Sequence, residues 1–381
     1  MNTVLTEEQR RDIVKRGFSR RSFGRIAAVM GAGAASLPFY NEAALAQLSK
    51  VDAPEGAVMI NANENPLGPC NEAREAVARM IPYGGRYRYS EGDKVQQLLA
   101  QQEGLKQNYV RIHPGSSGPL HQAVVAFTSP SRPFVTGDPG YEAGERAARF
   151  IGAKVLRVPL NKKYEHDVRA MAAAAPDAGL IYLCNPNNPT GTLTPKSDIE
   201  WLVANKPKGA VVMIDEAYTH LSGAPFNSEL VAADKDVIIL RTFSKIYGMA
   251  GLRAGASLAR PDLQDKISGY STTMMPITGM AAASASLQVK SLVPERRKII
   301  ADVRENVFEF LEKNNFTYIP SVSNCFMINV KRPGGEIIAA MRNENVYIGR
   351  VWPSWPTHVR VTVGLQDEMD KFKIAFRKVM A

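Results

Sequence analysis

Lys245 stands where a lysine can become a nucleophile. It follows Thr242-Phe243-Ser244 and precedes Gly248 and Gly251, with Arg253 eight residues on. The apolar run Val237-Ile238-Ile239-Leu240 before it reads as a buried strand. A lysine at the mouth of such a strand suits Schiff-base chemistry with an aldehyde, because burial and nearby cations favour its neutral amine. Thr242, Ser244 and Arg253 can hold a phosphate on the same ligand. Taken alone, a Ser-Lys pair in a loop is more often a solvated turn.

Two more strand ends carry matching chemistry. Leu180-Ile181-Tyr182-Leu183-Cys184 is an apolar run before Asn185-Pro186-Asn187-Asn188-Pro189-Thr190-Gly191, whose prolines and asparagines fix a turn. Ala210 to Ile214 is another, before Asp215-Glu216-Ala217-Tyr218. Ligands of open α/β sheets bind beyond the carboxyl ends of the strands. Asp215 there can ion-pair with a protonated pyridine nitrogen and keep the ring an electron sink. Asn188 and Tyr218 can hydrogen-bond a phenolic oxygen on that ring. Each residue also has an ordinary use: Asp215 as a helix cap, Asn188 as a turn former, Tyr218 as half-buried packing. In this order and spacing they outline a pyridoxal-phosphate site, with Lys245, Asp215 and Tyr218 as its catalytic residues.

Further motifs extend the pattern. They are Asn63-Glu64-Asn65-Pro66-Leu67-Gly68, Arg88-Tyr89, Asp138-Pro139-Gly140-Tyr141 and Val359-Arg360-Val361-Thr362-Val363-Gly364. With them the chain resembles the fold type I pyridoxal-phosphate aminotransferases of class I/II, and within these the histidinol-phosphate aminotransferase branch. The resemblance implies an α/β fold: a large domain with a mainly parallel sheet flanked by helices, plus a smaller α+β domain. Residues 93–265 would form the large, cofactor-binding domain and 266–381 the small one, joined by the N-terminal segment 47–92. The implied cofactor is pyridoxal 5'-phosphate. The implied reaction is ping-pong transfer of an amino group between an amino acid or related amine and a 2-oxo acid, with Lys245 moving the proton. A decarboxylase or other lyase, or an amino-acid oxidase on this fold, would use the same residues.

The resemblance also assigns roles that spacing alone leaves open. Tyr141 is expected to stack on the pyridine ring. His113-Pro114-Gly115-Ser116-Ser117-Gly118 opens a helix from Pro119 to Phe127, and helix N-terminal amides bind phosphate well. Related branch members carry acidic residues in this loop, so Ser116 and Ser117 are a departure; simple capping by serine is the alternative. Tyr89 is expected to reach the cofactor phosphate of a neighbouring subunit, with Tyr87 the competing match. A residue acting across an interface implies a homodimer. Arg360 would clasp the substrate carboxylate with its guanidinium fork. Asn63 and Asn65 would border the substrate pocket, and Arg350 would meet the substrate's far end. Trp352 and Trp355 come shortly after it, which points to an aromatic or bulky substrate side chain, or equally to core or interface packing.

The N-terminus carries a second message. Ser19-Arg20-Arg21-Ser22-Phe23-Gly24-Arg25 precedes an apolar, Ala/Gly-rich stretch from Ile26 to about Phe39, and Ala44-Leu45-Ala46 offers a cleavage site before Gln47. This looks like a twin-arginine export signal over residues 1–46, addressing the protein to the twin-arginine machinery and the periplasm. An uncleaved anchor or a basic amphipathic helix is the alternative. The stretch contains Pro38 and is too short for a confident membrane span. Such export carries folded proteins, which fits a cofactor loaded in the cytoplasm. It is an odd setting for histidine biosynthesis, so amino donor and acceptor stay open.

The elements that must position these residues are legible in outline. Asn71 to Met80 and Val95 to Gln102 read as helices, Tyr83 to Gly92 as a Gly/Tyr/Arg loop, and Arg296 to Asn314 as a long amphipathic helix. Phe326 to Val330 and His358 to Val363 read as strands. A chain of 381 residues with 45% hydrophobic content supports one large domain and a smaller one. Seven Lys/Arg and four Asp/Glu fall in residues 1–46, so the remainder carries +7 of the +10 net charge. That charge is diffuse, without the aromatic-basic interleaving or zinc spacing of a nucleic-acid binder, and no nucleic-acid partner is expected. Cys70, Cys184 and Cys325 and the five histidines have no ligand spacing, so no metal is expected.

Overall fold

Apolar runs covered by helices build the main sheet of the computed structural model, which describes residues 53–381 together with Arg11, Lys15 and Gly17. But for those three, the expected export segment lies outside the described residues. No helix among the described residues is long and apolar enough to cross a membrane. The strands are β1 Val58–Ile60, β2 Val110–His113, β3 Phe134–Asp138, β4 Val155–Pro159, β5 Leu180–Cys184, β6 Val211–Asp215, β7 Val237–Thr242, β8 Gly255–Leu258, β9 Thr317–Ile319, β10 Cys325–Asn329, β11 Val346–Ile348 and β12 His358–Thr362. β5, β6 and β7 are buried at every position. That is the signature of parallel strands covered on both faces.

Seven strands form one sheet in the order β2-β8-β7-β6-β5-β3-β4. β4, β3, β5, β6 and β7 run parallel, while β8 is antiparallel to both its neighbours. The register matters more than the count. Cys184 pairs with Asp215 and Asp215 with Leu240, so β5, β6 and β7 end at nearly one level. Thr242 and His113 both pair with Gly255, from opposite sides. The loops after β2, β5, β6 and β7 and the loop before β8 therefore leave the sheet along one edge.

A second sheet, β12-β10-β9, is antiparallel, and β1 pairs in parallel with β11. Val58 thus lies beside Val346, which ties the N-terminal segment to the C-terminal part of the chain. The helix Asn71–Met80 appears at its expected bounds and packs on the helix Ile277–Gln288. One expectation needs correction. The loop expected to run to Gly92 ends at Arg88, and a helix spans Tyr89–Glu103. Arg88 turns the chain at φ 52° and then pairs with Glu91 at 3.1 Å in the helix's first turn. A boundary between residues 92 and 93 falls inside this helix, and one at 265 falls inside the helix Pro261–Ser268.

Four of the histidines sit in the interior. His113 Nε2 lies 2.9 Å from Ser257 Oγ across the β2–β8 pair, and His166 Nε2 lies 3.0 Å from the Cys184 carbonyl. Burial depresses His113, His121, His166 and His220 to about 4 each. These imidazoles are neutral in the folded chain, whereas the unfolded chain protonates its histidines near pH 6.5. Above that pH both states are neutral and stability does not depend on them. As pH falls from about 6.5 towards 4 the unfolded state takes up the protons, and stability is lost. Urea midpoints are therefore expected to fall between pH 7.5 and pH 5, and His166→Asn should flatten the slope; a level wild-type profile over that range would contradict this.

Candidate active site

The strand ends place the expected residues against one another. Lys245 is buried in the turn after β7, with its Nζ 5.6 Å from the centroid of the Tyr218 ring. Asp215 is the last residue of β6 and is buried. Its Oδ2 accepts from Tyr182 Oη at 3.0 Å and its Oδ1 from the Ala217 amide at 3.2 Å. Burial, and then the charge of Asp215, push the Tyr182 hydroxyl well above the usual range for a phenol. Tyr182 therefore stays protonated and keeps donating to the carboxylate.

Tyr218 closes a ring of side chains. Its Oη accepts from Asn63 Nδ2 at 3.1 Å and from Asn188 Nδ2 at 3.4 Å. Asn188 Oδ1 in turn accepts from Arg360 Nη1 at 2.9 Å, and Asn63 Oδ1 accepts from Thr362 Oγ1 at 3.0 Å. Arg360 and Thr362 lie two residues apart on β12, so they share a face of that strand. The ring joins β12, the loop after β5, the loop after β6 and the N-terminal segment, and all five residues are buried. Arg360 Nη2 donates to the Asn61 carbonyl at 2.7 Å. Gly191 lets the loop after β5 reach the second sheet: at φ 70°, a Cβ there would lie 2.5 Å from the Cys325 carbonyl oxygen.

A second group of residues forms an anion cradle beside Gly255. Thr242 Oγ1 donates to Ser244 Oγ at 2.9 Å and accepts from the Ser244 amide at 3.1 Å. Arg253, at φ 54°, donates to the Ala250 carbonyl at 2.8 Å and to the Pro114 carbonyl at 3.3 Å. A Cβ on Gly115 would collide with that guanidinium, so glycine is what permits the approach. The helix Ser117–Phe127 begins at this point, and neither serine supplies a side-chain cap bond at its start. Two hydroxyls, a guanidinium and helix N-terminal amides together suit a phosphate monoester.

The remaining expected residues fall around this centre. Tyr141, in the loop after β3, is buried. Asn65 donates to the Ile246 carbonyl at 3.0 Å, next to Lys245, so it steadies the lysine turn. Arg296 Nη1 reaches the same carbonyl at 3.0 Å from the helix Leu292–Lys313. Arg350 pairs with Glu142 and lies 4.2 Å over Trp352, whose indole Nε1 donates to the Gly140 carbonyl at 2.9 Å. Tyr89 and Tyr87 do not join the cluster: both rings are about two-thirds exposed and stack on each other at 5.7 Å.

Several supporting residues are not legible in the sequence. Tyr182 is hidden in an apolar strand, where its single hydroxyl is the only signal. Arg241 on β7 is buried, pairing with Glu103 at 2.8 Å and with Glu216, the neighbour of Asp215. A guanidinium this deep needs its carboxylates, and losing either would leave a charge uncompensated. The pairs clamp the ends of β6 and β7 to the helix Tyr89–Glu103. Glu142 reads in the sequence as an ordinary residue after the Tyr141 motif.

Comparison with known proteins identifies the family. The family "Aminotransferase class I and II" matches residues 56–373. A histidinol-phosphate aminotransferase of Symbiobacterium thermophilum is 32% identical over 331 residues, 85% of this chain and 90% of that one. An aromatic amino acid aminotransferase of Cutibacterium acnes is 32% identical over 327 residues, covering 83% and 91%. Among solved structures, the Sinorhizobium meliloti histidinol-phosphate aminotransferase in complex with pyridoxal-5'-phosphate superposes with a TM-score of 0.78 at 25% identity, covering 91% of this chain and 95% of that one. The chain belongs to the class I and II aminotransferases and is a pyridoxal-phosphate-dependent transaminase of fold type I.

Proposed function

We propose that Lys245 is the cofactor lysine and the proton carrier of this transaminase, in a member of the histidinol-phosphate aminotransferase-like branch. The observation that carries the assignment is the buried Lys245 facing the Tyr218 ring, one strand end away from Asp215. Thr242, Ser244, Arg253 and the backbone at Ser116 and Ser117 hold the phosphate. Asp215 holds the pyridine nitrogen, Asn188 and Tyr218 the phenolic oxygen, and Tyr141 the ring face. When bound, pyridoxal phosphate supplies the electron-poor ring that accepts the electron pair of the substrate Cα.

The chain's own groups do the rest. Arg360 clasps the substrate carboxylate, its guanidinium already oriented by Asn188 and the Asn61 carbonyl. Asn63 lines the pocket beside it. Lys245 Nζ takes the proton from the substrate Cα, and in the second half-reaction returns one to the carbon of the incoming 2-oxo acid. Burial of Lys245, Ser244 and Asn188 keeps competing water away from that transfer. Two copies form the working unit. Ile81, Tyr83, Tyr87 and Tyr89 make an exposed apolar strip that suits a second copy, with Tyr89 or Tyr87 completing its phosphate site. The N-terminal twin-arginine sequence takes the folded, loaded protein to the periplasm.

Two outcomes test these readings. Lys245→Ala should slow half-transamination of any amino donor by at least about a thousandfold, the upper part of the range for a positioned acid–base group, while the cofactor still co-purifies. Turnover at the wild-type rate would refute the role. Replacing Arg20 and Arg21 together by Lys should hold the protein in the cytoplasm of a host with the twin-arginine pathway; unchanged export would refute the address.

A further inference from the structure

Glu142 is a carboxylate where the mechanism above has no use for one. It comes directly after Tyr141 and accepts from Arg350 Nη1 at 2.5 Å. Side-chain exposure is 15% for Glu142 and 19% for Arg350, so solvent screens the pair little. Arg350 lies 4.2 Å from the centroid of the Trp352 ring, and Arg360 lies 5.5 Å from the same centroid. Trp352 is 1% exposed and anchored to Gly140, so it is a fixed platform for both guanidiniums. The two guanidinium carbons can be no farther apart than those two distances taken together. A substrate held by its α-carboxylate on Arg360 would therefore have Arg350 within reach of its side chain.

We propose that Glu142 sets the charge selectivity of the substrate pocket. As the standing counter-ion of Arg350, it favours substrates whose side chains end in an uncharged group over those that end in a carboxylate. This rests on the reading of Arg360 as the α-carboxylate site. An acidic side chain reaching Arg350 meets a cation that is already neutralised, and a carboxylate of its own sign beside it. It must displace Glu142 or sit against it, and in a partly buried site either is costly. An uncharged side chain disturbs nothing and leaves the ion pair in place. The pair also bridges the loop after β3 and the segment between β11 and β12, which alone would make it a simple clasp between those two segments. A clasp, however, would not discriminate by ligand charge.

The test uses two ligands of the same size. Glutarate carries two carboxylates, and its monoamide, 5-amino-5-oxopentanoate, carries one carboxylate and one neutral amide. Dissociation constants for the cofactor-loaded enzyme are read by titration calorimetry. Wild type should bind the monoamide more tightly than glutarate. Glu142→Gln should move the ratio towards glutarate by at least about tenfold, within the coupling range of close charge pairs. An unchanged ratio, or equal weakening of both ligands as a clasp predicts, would overturn the proposal. Wild type preferring glutarate would overturn it without any variant, so the test survives a Glu142→Gln protein that fails to fold. Arg360→Lys separates the underlying reading: it should weaken both ligands together, and if it weakens neither, the carboxylate site itself is wrong.

Discussion

The ring Arg360–Asn188–Tyr218–Asn63–Thr362, four hydrogen bonds closed through the backbone of β12, is the interaction on which the site depends. Its members come from four separate parts of the chain and meet only when both sheets are in place. Each bond inside it is strengthened by burial, and each member would be costly to leave alone there. Two amide donors converge on the Tyr218 hydroxyl oxygen, which fixes where its lone pairs point. The guanidinium of Arg360 is fixed before any ligand arrives. Orientation of this kind is settled in advance, during folding, which is the physical content of a pre-formed site.

Around that ring the sheet supplies depth and sign. Asp215 reaches the site from β6 with Tyr182 behind it, and the cradle of Thr242, Ser244 and Arg253 lies at the opposite side of β7. Negative charge therefore sits under one end of the pocket and positive charge under the other. The Arg241 cluster holds the two strand ends that carry these groups at a fixed spacing.

Much of this is legible in the sequence, and the reasons are specific. β5, β6 and β7 can be read because strands buried on both faces are apolar without interruption, and each gives way to a polar turn. The helix Asn71–Met80 can be read from its apolar spacing. The helix beginning at Tyr89 cannot, because its first turn is written in tyrosine, serine, glutamate and glycine, and a left-handed Arg88 with its Glu91 partner fixes the start. β1 is three residues long and exists only through pairing with β11, far along the chain. The lysine, aspartate and arginine of the site are visible as types at strand ends. Their partners are not: Tyr182 beside Asp215 and Glu142 beside Arg350 become meaningful only once register and loop packing bring them to the site. Asn65, expected to border the pocket, donates to the Ile246 carbonyl beside Lys245, a partner no local pattern records.

The most direct test of the account is a double-mutant cycle on Asn63 and Asn188, the two donors to Tyr218. Steady-state kcat/KM would be measured for wild type, Asn63→Ala, Asn188→Ala and the double variant. If one ring positions Tyr218 and Arg360, the two losses overlap, and the cycle should give a coupling of at least about 1 kcal/mol. Losses that add to within about 0.3 kcal/mol would show two independent contacts, and the ring would not be the element that organises the site.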